Sequence, residues 1–292
     1  MVVGAHVQGL VLEVQAIPRE GESVMAWGFS EPLDGGKSSN QAVAAARLEA
    51  PTTLVSAVGS DERGRRALRF FASEGIDTRY CITVNGPTDV GFILLPPSRV
   101  PAIAAALERN LDLTPDAVAD AADAIRQAAC VVCALEAPQA TVEAAFRIAR
   151  SASVTTILNP APAAELKPEL AELTDVLVPN EHEAAALAGH EGEPAALAET
   201  LARRLGIPNI VITAGAAGAH VRAADGTVVD VAADAVTTVD TTGAGDEFVA
   251  ALAVSLRSGR SLAEAAYFAV RAATFSVQRP GSMPSYPALR EL

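Results

Sequence analysis

The stretch DTTGAGDEFVAAL, residues 240–252, joins an alternating, strand-like run to a helical one through a turn that holds two glycines and an acid. A strand that enters a helix through such a turn leaves backbone N–H groups without partners, and the helix dipole adds positive character there. The turn can therefore hold an anion, and its glycines let a ligand approach the backbone closely. Taken alone, however, these residues favour an ordinary aspartate cap on the helix.

A carboxylate beside an anion site would repel the anion, so its presence there suggests a chemical role. Phosphoryl transfer provides such a role. In that reaction the turn amides stabilise charge on the moving phosphoryl group, and a carboxylate accepts the proton of the attacking hydroxyl. Asp246 stands at the helix start, in the position for this proton transfer. This interpretation requires a second segment that can hold the acceptor.

A second glycine turn, Gly35 and Gly36, opens the strongly helical segment GGKSSNQAVAAARLE at residues 35–49. Lysine occurs in the chain only at Lys37 and Lys167, so a lysine in this turn is not background composition. Lys37 and Asn40 can hydrogen-bond a hydroxylated ligand. By itself, the segment suits a solvated loop equally well.

From about residue 50 onward, short apolar runs alternate with helical patterns. This rhythm predicts βαβ units, and hence an α/β fold with a doubly wound, mostly parallel sheet flanked by helices. Two segments, about 10–34 and about 84–100, show β character without an intervening helix and predict a small β-sheet lid. The alternative is that they extend the edge of the main sheet. We expect residues 1–292 to form a single domain.

Composition excludes several classes of partner. The net charge of −13 and the pI of about 4.8 make the surface repel nucleic-acid phosphates and anionic membranes, so we expect neither as a partner. A basic leader is lacking and no apolar run reaches about 18 residues, which makes the cytoplasm the expected location. Cys130 and Cys133 lie in an apolar run typical of a buried strand, and we interpret them as core residues.

Together, the two glycine turns are similar to the signatures of the ribokinase-like, or PfkB-type, family of carbohydrate kinases. DTTGAGD at 240–246 resembles the C-terminal signature, and GGKSSNQA at 35–42 resembles the N-terminal one. Further motifs follow in the family's order and approximate spacing, nearly end to end: LEAP at 135–138, LNPAPA at 158–163, VPNEHEA at 178–184, VITAGAAGA at 211–219 and RPGSMPS at 279–285. The resemblance implies an ATP-dependent kinase that phosphorylates a primary hydroxyl of a small neutral carbohydrate, ribose or another pentose or hexose.

The resemblance also implies residue roles on the phosphoryl-transfer side. Asp246 matches the family's catalytic base. The residues that match its anion hole are Gly243, Ala244 and Gly245. Asn180 and Glu183 match an NxxE motif that organises Mg²⁺ and the nucleotide phosphates, mostly through water; the alternative for Glu183 is a first-turn helix acid. The residues that resemble nucleotide-binding positions are Asn180, Thr213, Gly215, Gly218 and Gly245.

Further roles follow from the same resemblance. The residues that resemble sugar-binding positions are Gly36, Lys37, Asn40, Glu136 and Asp246. The residues that match positions around a monovalent cation, usually K⁺, are Asp240, Thr242, Gly281 and Ser285. ATP and Mg²⁺ are thus the implied cofactors, with K⁺ beside them. A homodimer through the lid is also implied, since two exposed lid sheets can pair their edges.

The chain departs from the family pattern on the sugar side. Val7 and Gly9 occupy the positions at which sugar-binding members typically carry an asparagine and an aspartate that grips sugar hydroxyls. A site built to hydrogen-bond a hydroxyl discriminates strongly through that group, so this loss bears on the choice of substrate. The residues that can compensate are His6, Gln8 and Glu13.

Two further departures are Ser38, in place of a usual glycine, and Glu247, in place of a small or hydroxylic residue. The presumed lid lacks a cluster of basic residues, apart from Arg19 and Arg99, which argues against a sugar phosphate as substrate. Two alternatives stay open: a nucleoside kinase of the same fold, and a catalytically impaired regulatory protein that binds sugar or nucleotide.

Overall fold

The computed structural model describes residues 1–33, 35–98 and 102–292, and in these ranges thirteen strands form two sheets. The strands are β1 Val2–Val3, β2 Gln8–Val14, β3 Ala26–Ser30, β4 Thr53–Gly59, β5 Asp77–Val84, β6 Val90–Leu95, β7 Ala102–Ala106, β8 Cys130–Ala134, β9 Thr155–Asn159, β10 Val176–Leu177, β11 Asn209–Thr213, β12 Ala219–Arg222 and β13 Val228–Val231. The α-helices are α1 Lys37–Arg47, α2 Glu62–Ser73, α3 Pro115–Ala119, α4 Ala122–Arg126, α5 Gln139–Ser151, α6 Pro168–Glu172, α7 Glu181–Ala188, α8 Pro194–Leu205, α9 Ala244–Arg257 and α10 Leu262–Ser276.

The main sheet has nine strands in the order β13-β12-β11-β10-β9-β8-β1-β4-β5. All neighbours in it run parallel except the β11–β12 and β12–β13 pairs, which are antiparallel. Helices cover both faces, as the alternation of apolar runs and helical patterns predicts, and the predicted fold class is confirmed. Ligands of such sheets bind at the carboxyl ends of the strands. We therefore expect the site at that end of the main sheet.

Strand side chains alternate between two hydrophobic layers. Val2 and Val132 pack with helices α1, α2, α9 and α10 on one face, whereas Val3 and Val131 pack with helices α3 to α8 on the other. The alternation also separates the two strand cysteines, since Cys130 lies in the first layer and Cys133 in the second. Both are buried free thiols, in agreement with their interpretation as core residues.

A separate four-stranded sheet, in the order β3-β2-β6-β7, forms the predicted lid. Strands β2 and β6 run parallel, and the two outer pairs are antiparallel. The alternative of an extended main-sheet edge is therefore wrong. Strand β7 was not predicted, because its sequence AIAAA is typical of a helix rather than a strand. Of the predicted lid segments, residues 34, 99 and 100 lie outside the described residues.

Residues 4–7 carry the chain from the end of β1 in the main sheet to the start of β2 in the lid. The Gly35–Gly36 turn packs directly on this connection. Among the described helices, none is long and apolar enough to cross a membrane.

Candidate active site

The turn before α9 requires glycine at residue 243. Gly243 caps the helix with φ 76°, in the left-handed region. A Cβ atom at this position would lie 2.4 Å from the Cβ of Ser282 and 2.5 Å from the Oη of Tyr286. At Gly245 the surroundings are open, with nothing within 4 Å of a built Cβ. The space that an anion would need is therefore on the Gly245 side of the turn.

Backbone donors at this helix start are available. The N–H of Ala244 donates to the carbonyl of Thr241 at 3.2 Å, so it is already satisfied. In the described part of the chain, the N–H groups of Gly245 and Asp246 donate no hydrogen bond. Of the residues predicted to form the anion hole, Gly245 thus has an available N–H donor and Ala244 does not, and the N–H of Asp246 is a further available donor.

Asp246 is buried in the first turn of α9, and its carboxylate is held at both oxygens. Asn40 Nδ2 donates to Oδ2 at 2.8 Å, and Gln41 Nε2 donates to Oδ1 at 3.2 Å. Burial raises the pKa of Asp246, while the positive charge of Lys37 and the two amide hydrogen bonds act in the opposite direction. The first turn of α1 therefore positions the acid of α9.

The Gly35–Gly36 turn places α1 at this site because only glycine fits there. A Cβ on Gly35, at φ 146°, would lie 2.1 Å from the carbonyl oxygen of Val7. A Cβ on Gly36, at φ 78°, would lie 2.7 Å from the backbone nitrogen of Val7. The turn is thereby pressed against the connection between the main sheet and the lid.

Lys37 and Glu136 join this cluster. The backbone N–H of Lys37 donates to Glu136 Oε2 at 2.6 Å. Burial acts to lower the pKa of Lys37, but the charges of Asp246, Glu136 and Glu183 raise it overall. Burial, reinforced by the charge of Asp246, raises the pKa of Glu136 to about 7. The charge of Lys37 is thus favoured by three carboxyl groups, which belong to the predicted catalytic, sugar and magnesium positions.

Asn180 and Glu183 form a capping box at the start of α7. Asn180 Oδ1 accepts from the N–H of Glu183 at 2.8 Å, and Glu183 Oε2 accepts from the N–H of Asn180 at 2.9 Å. This is the helix-cap alternative raised from the sequence. Burial is the main cause that raises the pKa of Glu183. The carboxyl group keeps its other oxygen for a water or an ion.

The β11 end lies beside this cap. A backbone bridge joins Asn180 to Thr213, and the N–H of Thr213 donates to the carbonyl of Pro179 at 3.0 Å. Gly218, at φ 97°, has no room for a side chain, since a Cβ would lie 1.9 Å from the carbonyl oxygen of Val231. Gly215 has open space around it. Four of the predicted nucleotide positions, Asn180, Thr213, Gly215 and Gly218, therefore lie at the carboxyl ends of neighbouring strands β10 and β11.

Asp240 ties the glycine turn to the loop at residues 281–285. Its Oδ1 accepts from the N–H and hydroxyl of Thr242 at 2.9 and 2.7 Å, and its Oδ2 accepts from the N–H of Gly281 at 2.9 Å. The hydroxyl of Ser285 donates to the carbonyl of Ser282 at 2.7 Å. Three of the four predicted monovalent-cation positions are thus in direct contact.

Each of the residues expected to compensate for Val7 and Gly9 makes a hydrogen bond within the protein, while His6 Nε2 and Gln8 Oε1 are buried without a partner among the described residues. His6 Nδ1 pairs with the Ser39 hydroxyl at 3.2 Å, and its ring packs edge-on against Phe71. Gln8 donates to the carbonyls of Gly9 and Pro32. Glu13 accepts from the indole N–H of Trp27 at 2.9 Å.

The connection itself presents an apolar side chain, because Val7 Cγ1 lies 3.6 Å from a Cβ built on Gly91 of the lid. Ser38 is buried, and its hydroxyl has no partner among the described residues. Arg19 is exposed, and Arg99 lies outside the described residues. At positions 7 and 9 themselves, the chain thus carries no side chain that can hydrogen-bond a hydroxyl.

Glu247, next to the site, carries a buried carboxyl group without a hydrogen-bond partner among the described residues. It is fully buried directly after Asp246, and neither carboxyl oxygen has a partner in the described part of the chain. Burial raises the pKa of Glu247 to about 8, opposed by the charge of Arg47 and reinforced by that of Asp246. Arg47 itself is engaged by Glu74 and by the carbonyl of Met283.

Replacing Glu247 with Met should stabilise the protein. A buried polar group without a partner costs about 1–3 kcal/mol. The pKa of Glu247 is about 8 in the folded protein, whereas the ordinary value of 4.5 applies to the unfolded chain. Between these two pH values the folded state retains a proton that the unfolded chain releases. Wild-type stability should therefore fall as pH rises from about 4.5 to about 8 and then level off. The free energy of unfolding, measured in urea at pH 5, 6.5 and 8, should depend less on pH in Glu247→Met than in the wild type. An equal pH dependence in the two proteins would contradict the raised pKa of Glu247.

Comparisons with known proteins agree over nearly the whole chain. The family model described as pfkB family carbohydrate kinase matches residues 7–289. A ribokinase of Staphylococcus aureus is 36% identical over 286 residues, which cover 96% of this chain and 94% of that protein. A deoxyribokinase of Salmonella typhi is 32% identical over 295 residues, with 99% and 96% covered. The structure of Arabidopsis thaliana ribokinase complexed with ribose and ATP matches with a TM-score of 0.91 and 29% identity, over 99% of this chain and 95% of that one.

Proposed function

Because the chain belongs to the pfkB family of carbohydrate kinases, we propose that it transfers the γ-phosphoryl group of ATP to a primary hydroxyl of a small neutral sugar, ribose or a related pentose or hexose. It is a phosphotransferase with an alcohol group as acceptor. The observation that carries the proposal is the buried Asp246 carboxylate, held by two amides at the start of a helix in which the N–H groups of Gly245 and Asp246 have no partner among the described residues.

In this mechanism Asp246 accepts the proton of the sugar hydroxyl as that oxygen attacks the γ-phosphorus. The base must be ionised, and the charge of Lys37 together with the hydrogen bonds from Asn40 and Gln41 favours its ionised form against the effect of burial. The free N–H groups of Gly245 and Asp246, together with the helix dipole, stabilise the charge on the transferred phosphoryl group. The bond to the leaving oxygen of ADP breaks on the opposite side.

The nucleotide occupies the edge formed by Asn180, Thr213, Gly215, Gly218 and Gly245 in this proposal. ATP is used with a divalent metal, and we propose that the metal is Mg²⁺. The donor set fits, because Mg²⁺ keeps most of its waters and needs few carboxylates besides the phosphates. Glu183 would hold it through water. When bound, Mg²⁺ neutralises charge on the phosphates.

Potassium should raise turnover. The oxygen-rich contact of Asp240, Thr242 and the Gly281 loop lies directly behind the glycine turn, and we include Ser285 in the proposed site. A bound monovalent cation would add positive potential beneath the anion hole. Initial rates in KCl should exceed those in NaCl or choline chloride at equal ionic strength. Equal rates in all three salts would overturn the assignment.

The acceptor is proposed to lie against Gly36, Lys37, Asn40 and Glu136, with Asp246 facing its reacting hydroxyl. Lys37 and Asn40 can donate to sugar oxygens, and Glu136 can accept from sugar hydroxyls. The connection at Val7 and Gly9 provides no side chain that binds a hydroxyl. We therefore expect weak discrimination between ribose and 2-deoxyribose.

Replacing Gly9 with Asp should increase the preference for the hydroxylated sugar. Gly9 lies in extended strand β2, so an aspartate fits the backbone, and a buried carboxylate without a hydroxyl partner penalises the deoxy sugar. The ratio of kcat/KM for ribose over 2-deoxyribose should rise at least about 10-fold. An unchanged ratio would show that residue 9 does not face the sugar.

We propose that the main sheet and the lid belong to one domain and that the lid covers the site. We also propose that the lid mediates a homodimer. Edge strand β3 exposes Trp27 and Phe29, which are 56% and 63% exposed. An exposed edge strand with apolar side chains favours pairing with a second copy. Light scattering should give a dimer mass at micromolar concentration, and a monomer mass would contradict the proposal. The cytoplasmic location stays a prediction from the sequence.

A further inference from the structure

We infer that Gln41 and Asn159 form a buried amide relay that positions Asp246, with Asn159 acting on the base only through Gln41. Gln41 Nε2 lies 3.2 Å from Asp246 Oδ1 and 3.3 Å from Asn159 Oδ1. Asn159 Nδ2 in turn donates to the carbonyl of Val178 at 2.9 Å. The inference rests on the proposed role of Asp246 as the base.

Hydrogen-bonding capacity fixes the direction of the relay. The Gln41 amide has two N–H hydrogens, and the two nearby acceptors use both of them. If this amide were flipped, its oxygen would face the oxygens of Asp246 and Asn159. Asn159 cannot flip either, because its amide nitrogen is needed by the Val178 carbonyl. The orientation of Gln41 is therefore set by a residue that does not touch Asp246.

Because the site is buried, the orientation of the Gln41 amide affects how well Asp246 is hydrogen-bonded. Gln41 is fully buried and Asn159 nearly so, which leaves little water to replace a lost donor. Asp246 Oδ1 has Gln41 as its side-chain donor, whereas Oδ2 has Asn40. Loss of the Gln41 bond would leave one oxygen of a buried carboxylate poorly satisfied and would favour its protonated form.

The relay also links the two halves of the site. Asn159 ends β9, and Val178 stands two residues before Asn180, whose side chain caps the helix that carries Glu183. A shift of this segment would reach the base through Asn159 and Gln41. The relay therefore connects the proposed nucleotide side of the sheet with the proposed sugar side.

The test compares Asn159→Ala with Asn209→Ala. Asn209 is a matched control, because its Nδ2 also donates to a backbone carbonyl, that of Asp175, at 2.9 Å, but at the opposite end of the sheet. We expect Asn159→Ala to lower kcat about 10- to 100-fold, the range for a hydrogen bond to a charged group. The acid limb of its pH profile should move up by about one pH unit, because the base is protonated more readily. Asn209→Ala should leave both quantities unchanged.

A double-mutant cycle tests whether Asn159 acts through Gln41. Gln41→Ala should reproduce the upward shift of the acid limb, and Gln41→Ala with Asn159→Ala should be no slower than Gln41→Ala alone. Multiplicative losses in the double variant, or an acid limb that stays in place in Asn159→Ala, would overturn the relay. Either result leaves the proposed function standing as long as Asp246→Asn is inactive, whereas an active Asp246→Asn would remove the proposed function itself.

Discussion

Asp246→Asn should lower kcat at least about 100-fold while ATP binding persists, because general-base catalysis contributes about 10²- to 10⁴-fold. The substitution preserves the volume of the side chain but removes its ability to accept the sugar proton. It also replaces one acceptor oxygen with an NH₂ group. That group would face Asn40 Nδ2 or Gln41 Nε2, both of which are donors in the wild-type site.

The measurement for this prediction is the steady-state rate of ADP formation, with nucleotide affinity measured separately by calorimetry. A matched control is Asp123→Asn, since Asp123 is an exposed first-turn acid of α4 that pairs with Arg126 on the surface. The control should retain wild-type turnover. Near-normal turnover in Asp246→Asn would remove this residue from the mechanism.

Gly245→Ala should abolish most activity without destabilising the fold. Nothing lies within 4 Å of a Cβ built on Gly245, and alanine is a better helix former than glycine. The added methyl group would project into the space proposed for the transferred phosphoryl group. We expect kcat to fall about 100-fold, comparable to the loss of an anion-hole donor, with an unchanged or raised melting temperature.

Gly243→Ala provides the contrast two residues earlier. Here the left-handed backbone and the contacts with Ser282 and Tyr286 exclude a Cβ atom, so we expect a loss of at least about 2 kcal/mol in unfolding free energy. Thermal unfolding and initial rates should thus separate the two glycines. A Gly245→Ala variant with normal turnover would show that no anion occupies the open side of the turn.

Local sequence signals predicted the parts of the site that depend on near neighbours. The glycine turn before α9 and the Asn180–Glu183 pair are determined within a few residues, by steric requirement and by a reciprocal cap. The alternation of apolar runs likewise predicted the main sheet, because each run fits a buried parallel strand. By contrast, β7 was missed because five residues dominated by alanine give no strand signal.

Contacts between distant segments could not be predicted in this way. Gln41 meets Asn159 and Asp246 across separations of 118 and 205 residues. Both amides lie inside motifs that the resemblance had already marked, GGKSSNQA and LNPAPA, yet nothing in either motif indicates that they touch. Glu247 was recognised as unusual, but its complete burial follows from the packing of α9 between α1 and α10.

The sequence also could not tell which residues replace the asparagine and aspartate that are missing at positions 7 and 9. From sequence, His6, Gln8 and Glu13 were the candidates to replace them, with His6 also expected as a core or surface residue. The structure instead engages all three with Ser39, with the Pro32 carbonyl and with Trp27. This is why the identity of the sugar is less determined than the chemistry performed on it.

The most direct test of the account is transfer of label from γ-labelled ATP to ribose, 2-deoxyribose, fructose and a panel of nucleosides, with magnesium and potassium present and Asp246→Asn as the blank. We expect a labelled sugar phosphate that forms with wild-type protein and is lost in the blank. Label transferred only to nucleosides would contradict the proposed acceptor. No transfer to any acceptor, with ATP bound normally, would contradict the assignment of this protein as a working kinase.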